Sequence, residues 1–229
     1  MARRSLAAGG ALAIALTAPA AAHAAPVIQP LKPCYVTAET DAGPRSEGMN
    51  IAASGFTPNA TVDLTVDGSP YPGGDDLQAN QFGRLPIPPL PAPFIAKGSR
   101  EFQITLTEVG NPANTVSTTT RSTALNVGVK PKEAKPSDRI RFKGRGFTDD
   151  APIWAHYIYK GKVRKTVRMA RKPRSCGRFK KRARQIPVKR PRLGDWTIQF
   201  DQSQQFVDPE VTPIVFVRLA IRIRLVRPR

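Results

Sequence analysis

Apolar and polar residues alternate with a period of two along most of this chain, the pattern of half-buried strands whose successive side chains point to opposite faces. Val62, Leu64 and Val66 share one face of a predicted strand, and Phe102, Ile104 and Leu106 share one face of another. In the second half the sets Ile153/Ala155/Tyr157 and Trp196/Ile198/Phe200 do the same. Turn formers such as Asp67-Gly68, Pro72-Gly73-Gly74, Gly110-Asn111-Pro112, Lys160-Gly161 and Leu193-Gly194-Asp195 punctuate these segments at short intervals. Every periodic segment has period two, so the expected fold class is all-β. The proline-rich stretch Leu85–Pro91 predicts an edge strand or an extended connector, because proline has no N–H to give to a central ladder.

These segments repeat in order. Residues Ser46 to Ala60 align without a gap on Ser137 to Ala151, with five of the fifteen positions identical, Gly-Phe-Thr among them. Met49, Ile51 and Ala53 fall on Ile140, Phe142 and Gly144, while Asn50 and Ser54 fall on Arg141 and Arg145 on the opposite face. The match continues through Val62/Leu64/Val66 onto Ile153/Ala155/Tyr157, Gly83-Arg84-Leu85 onto Gly177-Arg178-Phe179, and Phe102/Ile104/Leu106 onto Trp196/Ile198/Phe200. Upstream, Cys34-Tyr35-Val36 is set against Leu125-Asn126-Val127. Such a succession implies tandem duplication of a unit of about 100 residues, the size of an immunoglobulin-like sandwich.

The run apolar-x-apolar-x-Gly-Phe-Thr-Pro-Asn-Ala followed by Val-Asp-Leu-Thr-Val-Asp-Gly resembles bacterial immunoglobulin-like repeats of secreted and surface proteins. The second copy departs from it at Asp149-Asp150 and carries a basic insertion. The resemblance implies two tandem immunoglobulin-like β-sandwich domains with a spacer, adhesive or binding role, and it transfers no site residues. The expected boundaries are 1–25 for a signal peptide, 26–123 for the first domain and 124–229 for the second. The junction at Ala124 leaves almost no linker.

The expected signal peptide has a positive start at Arg3 and Arg4, an apolar stretch from Leu6 to Ala18, and a small-x-small site at Ala22-His23-Ala24. Its apolar stretch is shorter than the roughly 20 residues of a membrane-spanning helix. Ala7 breaks the apolar pair usual in twin-arginine signals, so general secretion is preferred. The segment near the end, Ile214 to Val226, is interrupted by Arg218, Arg222 and Arg224. A secreted protein, soluble or noncovalently held at the envelope, is expected.

Charge divides the chain sharply. Residues 26–123 hold six Lys/Arg and nine Asp/Glu, a net of −3, whereas residues 124–229 hold 28 and eight, a net of +20. Lys162 to Arg192 alone contains fifteen cations and no acid. A block of like charge attracts polyanions through counterion release. The candidate anion-binding residues are Lys162, Arg164, Lys165, Arg178, Lys180, Lys181, Arg182, Arg184, Lys189 and Arg190. Export removes cytoplasmic nucleic acid as a partner, leaving anionic envelope polymers or acidic lipid headgroups. The alternative is a structural or adhesive module that recognises protein, with the basic stretch a solvated face. Arg218, Arg222 and Arg224 alternate with Leu219, Ile221 and Ile223, which suits edge protection of a sheet.

Catalytic motifs are scarce. His156 is the one histidine after the signal, expected in a strand as a partly exposed structural residue. No Gly-x-Ser-x-Gly elbow presents a nucleophile, and the acidic pairs Asp75-Asp76 and Asp149-Asp150 lack the alternation of a calcium loop. The expectation is a non-enzyme without cofactor or metal. Cys34 and Cys176 lie in different copies. Oxidising surroundings permit a bond between the copies; two separate thiols and intermolecular pairing are the other outcomes.

Overall fold

A computed structural model of the chain describes residues 25–40, 43–208 and 215–224. The expected signal segment, up to residue 24, lies outside them. The described residues are all-β, with one short 3-10 turn at Ser175–Gly177. Among them no helix is long and apolar enough to cross a membrane.

In the C-terminal half two antiparallel sheets face each other. One has the strands Asn126–Lys130, Arg139–Arg145 and Phe179–Arg184, with Arg139–Arg145 in the middle. The other runs Lys162–Ala170, Ile153–Tyr159, Gly194–Asp201 and Val217–Ile223 across its width. Alternate residues of both sheets meet in one cluster: Ile140, Phe142 and Phe179 from the first, and Ala155, Tyr157, Ile198 and Phe200 from the second. The Phe200 ring joins them, with its centroid 5.8 Å from Phe142 and 6.3 Å from Phe179.

The N-terminal half has its own cluster around Met49, Ile51, Leu64, Leu85, Ile104 and Leu106. Its larger sheet is ordered Gly43–Ser46, Tyr35–Thr40, Asn111–Ala124, Ser99–Glu108, Thr61–Val66 and Ser69–Pro70. Opposite lie a three-stranded sheet (Val27–Ile28, Ala52–Ser54, Arg84–Pro86) and the pair Gly48–Met49 with Leu90–Pro91. The proline-rich stretch therefore sits at an edge, where the missing N–H groups leave no buried gap in a ladder.

The repeat read from sequence is a repeat of strand register. Leu64 pairs with Leu106 and Val66 with Ile104, as Ala155 pairs with Phe200 and Tyr157 with Ile198. Ala53 pairs with Leu85 as Gly144 pairs with Phe179. Asp67-Gly68 and Lys160-Gly161 make two-residue hairpin turns with positive φ at both positions (51° and 79°, 49° and 70°). Such turns match the right-handed twist of the strands they join. Gly83 and Gly177, at φ 67° and 64°, sit against the Gly-Phe-Thr phenylalanines: an added Cβ would lie 2.2 Å from the Phe56 carbonyl oxygen or 2.1 Å from the Phe147 nitrogen.

One alignment is corrected by register. Cys34-Tyr35-Val36 does not occupy the place of Leu125-Asn126-Val127. Val127 pairs with Gly144, and the equivalent partner of Ala53 is Ile28. Tyr35 and Val36 instead run parallel to Ser122 and Thr123 in the opposite sheet. A short apolar pair such as Val27-Ile28 gives too little pattern to align, whereas the Tyr-Val run is locally convincing.

Candidate functional site: a cationic sheet face

The three-stranded sheet of the C-terminal half turns Ile140, Phe142 and Phe179 inward. Alternation then turns Arg139, Arg141, Lys143 and Arg145 outward on the central strand, and Lys180, Arg182 and Arg184 outward beside them. Register sets them directly opposite one another as Arg139 with Arg184, Arg141 with Arg182, and Lys143 with Lys180. Lys130 on the third strand pairs with Arg141 from the other side. A fourth opposed pair follows where the backbones of Arg174 and Arg178 exchange hydrogen bonds of 2.9 and 3.2 Å. Between them Cys176 forms the tip of the loop at φ 58°.

Like charges directly opposite in a sheet are destabilising. Among the described residues none of these cations forms an ion pair with a carboxylate. Other cations of the same half do: Lys172 with Asp150 at 3.3 Å, Arg218 with Asp208 at 3.7 Å, and Arg222 with Asp195 at 2.5 Å. Arg218 and Arg222 are therefore partnered, and Val217–Ile223 lies at a sheet edge as its pattern suggested. Asp195 is held below the usual carboxylate range by its hydrogen bond from Arg222.

At the end of the face nearest the N-terminal half an open cleft of about 750 Å³ is lined by Lys130, Arg141, Lys143, Arg145, Arg174, Arg178 and Lys180. Gly128 opens it, since no atom lies within 4 Å of where its Cβ would be. Arg141 is half-buried, and its Nε–H is enclosed without a hydrogen-bond acceptor among the described residues. A disulfide joins Cys34 to Cys176, with Cα atoms 5.2 Å apart. It ties the loop carrying Arg174 and Arg178 to the N-terminal half. Beside it Glu47 accepts from Lys32 Nζ at 2.5 Å, from the Val36 nitrogen at 2.9 Å and from Thr148 Oγ1 at 3.3 Å. That acceptor raises the Lys32 pKa despite partial burial.

The ten cations singled out by sequence thus divide among surfaces. Arg178, Lys180, Arg182 and Arg184 share the face just described. Lys162, Arg164 and Lys165 lie on the edge strand of the opposite sheet, and Lys189 and Arg190 lie in the loop before Gly194–Asp201. Lys181 has the inward parity of its strand, opposite buried Phe142, and its Nζ donates to the Arg168 carbonyl. Desolvation, then repulsion from Arg168 and Arg139, lowers its pKa. Sequence reading missed Lys130, Arg139, Arg141, Lys143, Arg145 and Arg174 as site members. The signal was present in Arg-Ile-Arg-Phe-Lys-Gly-Arg, a strand with a cation at every outward position.

His156 is not partly exposed as expected but fully buried. Its outward-facing position is covered by the chain after Asp201. Nδ1 lies 3.0 Å from Thr166 Oγ1, Nε2 lies 3.3 Å from Asp201 Oδ1 and 3.1 Å from the Ser203 carbonyl, and the Phe206 ring packs edge-on. Gln199 donates to Asp201 Oδ2 at 2.9 Å, and the Ser203 nitrogen donates to Oδ1 at 2.9 Å. The Thr166–His156–Asp201 line is thus a buried structural network that straps the following segment onto the sheet.

No family model matches the chain, and no curated protein matches it. Among solved structures it is similar to a tetra-tandem repeat in the extending region of a large adhesion protein, at 13% identity and a TM-score of 0.30. The match covers 77% of this chain and 45% of that one, so the chain spans less than half the length of the structure it resembles.

Proposed function

We propose that this chain is a non-catalytic exported protein of two tandem immunoglobulin-like sandwiches, bounded at 26–123 and 124–229, that binds a linear anionic polymer of the cell envelope. The observation that carries the reading is the cross-strand stacking of like charges, Arg139/Arg184, Arg141/Arg182 and Lys143/Lys180, with no carboxylate paired to them among the described residues. On one face of a strand successive side chains are about 7 Å apart, and neighbouring strands are about 5 Å apart. The face is therefore a regular lattice of positive charge, suited to an extended chain of repeated anions rather than to one small ion.

A polymer fits better than a lipid surface. The exposed large apolar residues Val27, Phe82, Phe94, Val109, Val163, Leu193 and Val215 lie off the outward positions of this sheet. Without an apolar anchor, membrane attraction reduces to about 1 kcal/mol per cation near an anionic leaflet. A non-catalytic role is supported by the burial of His156 and Asp201, which keeps that acid–base pair away from any substrate.

The experiment is retention of the full mature chain on an immobilised anionic polymer across a salt series, beside vesicles of acidic lipid. Engaging about six anions gives a log–log salt slope of roughly −4 to −5. Replacing Arg139, Arg182 and Arg184 with Ser should lower the slope by about 2 to 3. Replacing Arg218 and Arg222 should leave it unchanged. Retention equal to wild type in the triple variant would overturn the reading, and stronger capture by vesicles than by polymer would move the face to a lipid role.

A further inference from the structure

We infer that the cleft at the junction end of the cationic face is a discrete subsite for a phosphate monoester group, with the Arg141, Arg174 and Arg178 guanidiniums as its ligands; the inference rests on the polyanion reading and specifies its ligand chemistry. The flat part of the face presents charges in rows. The cleft differs because cations from separate elements line one space. Arg141 rises from the central strand, Lys143 and Lys180 stand as an opposed pair beside it, and Arg174 and Arg178 close the far side from a loop.

Two features set that loop in place. The Arg174 and Arg178 backbones bond to each other, so their side chains emerge on the same side. The Cys34–Cys176 disulfide pins the loop tip to the N-terminal half. The loop backbone that carries both arginines is therefore set by covalent and backbone bonds, and the Arg178 Nε–H donates to the Ser175 carbonyl at 3.2 Å rather than to a carboxylate. Ordering has been achieved without neutralising the charge, which is what an anion site requires.

Chemistry selects among anions. A guanidinium binds oxyanions through a planar fork of donors, two parallel bonds to one group. A carboxylate has two oxygens and is satisfied by one such fork. A phosphate monoester has three terminal oxygens and carries about −1.5 to −2 charges at neutral pH. Three guanidiniums lining one cleft from two elements exceed what one carboxylate can accept and suit a group of higher charge. The Arg141 Nε–H is an enclosed donor that finds no acceptor among the described residues. Its cross-strand neighbours on either side, Lys130 and Arg182, are both exposed.

The test uses the full mature chain with inorganic phosphate as probe, followed by NMR or calorimetry at constant ionic strength, with acetate as the carboxylate comparison. Phosphate should bind one equivalent saturably, and more tightly as pH rises through its second ionisation and the dianion comes to dominate. Arg141→Gln and Arg178→Gln should each weaken it by about tenfold or more, the loss of a charge-assisted fork. Arg218→Gln with Arg222→Gln, on the edge strand of the opposite sheet and already ion-paired, should leave it within about twofold. Arg178 lies in a surface loop, so its variant reports on the site even if Arg141→Gln perturbs the sheet. Equal binding of acetate and phosphate, or equal losses in the cleft and off-cleft variants, would overturn the subsite. Polymer retention by wild type without phosphate binding would sink the subsite and leave the polymer reading standing. Phosphate binding without retention on a phosphate-bearing polymer would keep the subsite for free phosphate and remove the polymer reading.

Discussion

A face made of opposed like charges should be stabilised by losing them, and the size of that gain follows from geometry. The perturbation is Lys180→Thr, Arg182→Thr and Arg184→Thr together, which removes one partner from each of the three opposed pairs on an edge strand. Side-chain charges extended from paired strand positions sit roughly 7 Å apart, which gives about 0.6 kcal/mol of repulsion per pair in water. Three pairs sum to about 2 kcal/mol at low salt. With a Debye length of about 8 Å at physiological ionic strength the same repulsion falls to about 0.8 kcal/mol. Threonine also favours strands, which adds a gain that salt does not change. Urea unfolding of wild type and variant at low and at about 0.15 M salt separates the two parts, because only the Coulombic part shrinks, by about 1 kcal/mol. Polymer retention measured on the same samples should fall while stability rises. A variant no more stable than wild type at low salt, or a gain equal at both salts, would falsify the argument that these pairs repel across the strands.

Other expectations follow from single sites. Gly177→Ala combines positive φ with a Cβ 2.1 Å from the Phe147 nitrogen, so denaturant unfolding should show a loss of about 3 kcal/mol or more, and a loss under about 1 would contradict the packing. Tyr157→Phe removes a buried hydroxyl that has no hydrogen-bond partner and whose pKa burial raises; stability should hold or rise by about 1 kcal/mol, and a clear loss would mean the hydroxyl is bonded. Non-reducing peptide mapping should recover Cys34 linked to Cys176; replacing both with Ser opens a loop spanning a separation of 142 residues, worth about 5 kcal/mol of chain entropy at most. Alkylation of both thiols in the native protein would refute the link. Lys181 has a lowered pKa in the folded protein, so as pH climbs from that value towards 10.5 the folded form has released the proton that the unfolded chain still holds. Stability contributed by this group should therefore rise with pH across that window, and Lys181→Gln should flatten the rise; an identical slope in the variant would show that Lys181 is not desolvated.

The strands and their equivalents in the second copy were legible in the sequence because burial on one face imposes period two, and because two copies of one pattern bury the same positions. Leu64 with Ala155, Leu106 with Phe200 and Gly83 with Gly177 could be matched as equivalent positions of the two copies, whereas the pairing of Leu64 with Leu106 and of Ala155 with Phe200 across strands came from the fold. The block of charge from Lys162 to Arg192 was equally plain, since composition needs no geometry. Tertiary structure alone decided which cations act together. Contiguity in sequence grouped Lys180 with Lys181, yet the pleat sends them to opposite faces of one strand. Pairing in space brought Arg139, Arg141 and Lys143, some forty residues upstream, directly opposite Arg184, Arg182 and Lys180. His156 looked exposed because its strand position faces outward, and only the path of the chain after Asp201 covers it. Local alternation reports the side of a sheet on which a residue stands, but not what lies over that side; that depends on contacts between residues distant in the chain, which the fold creates.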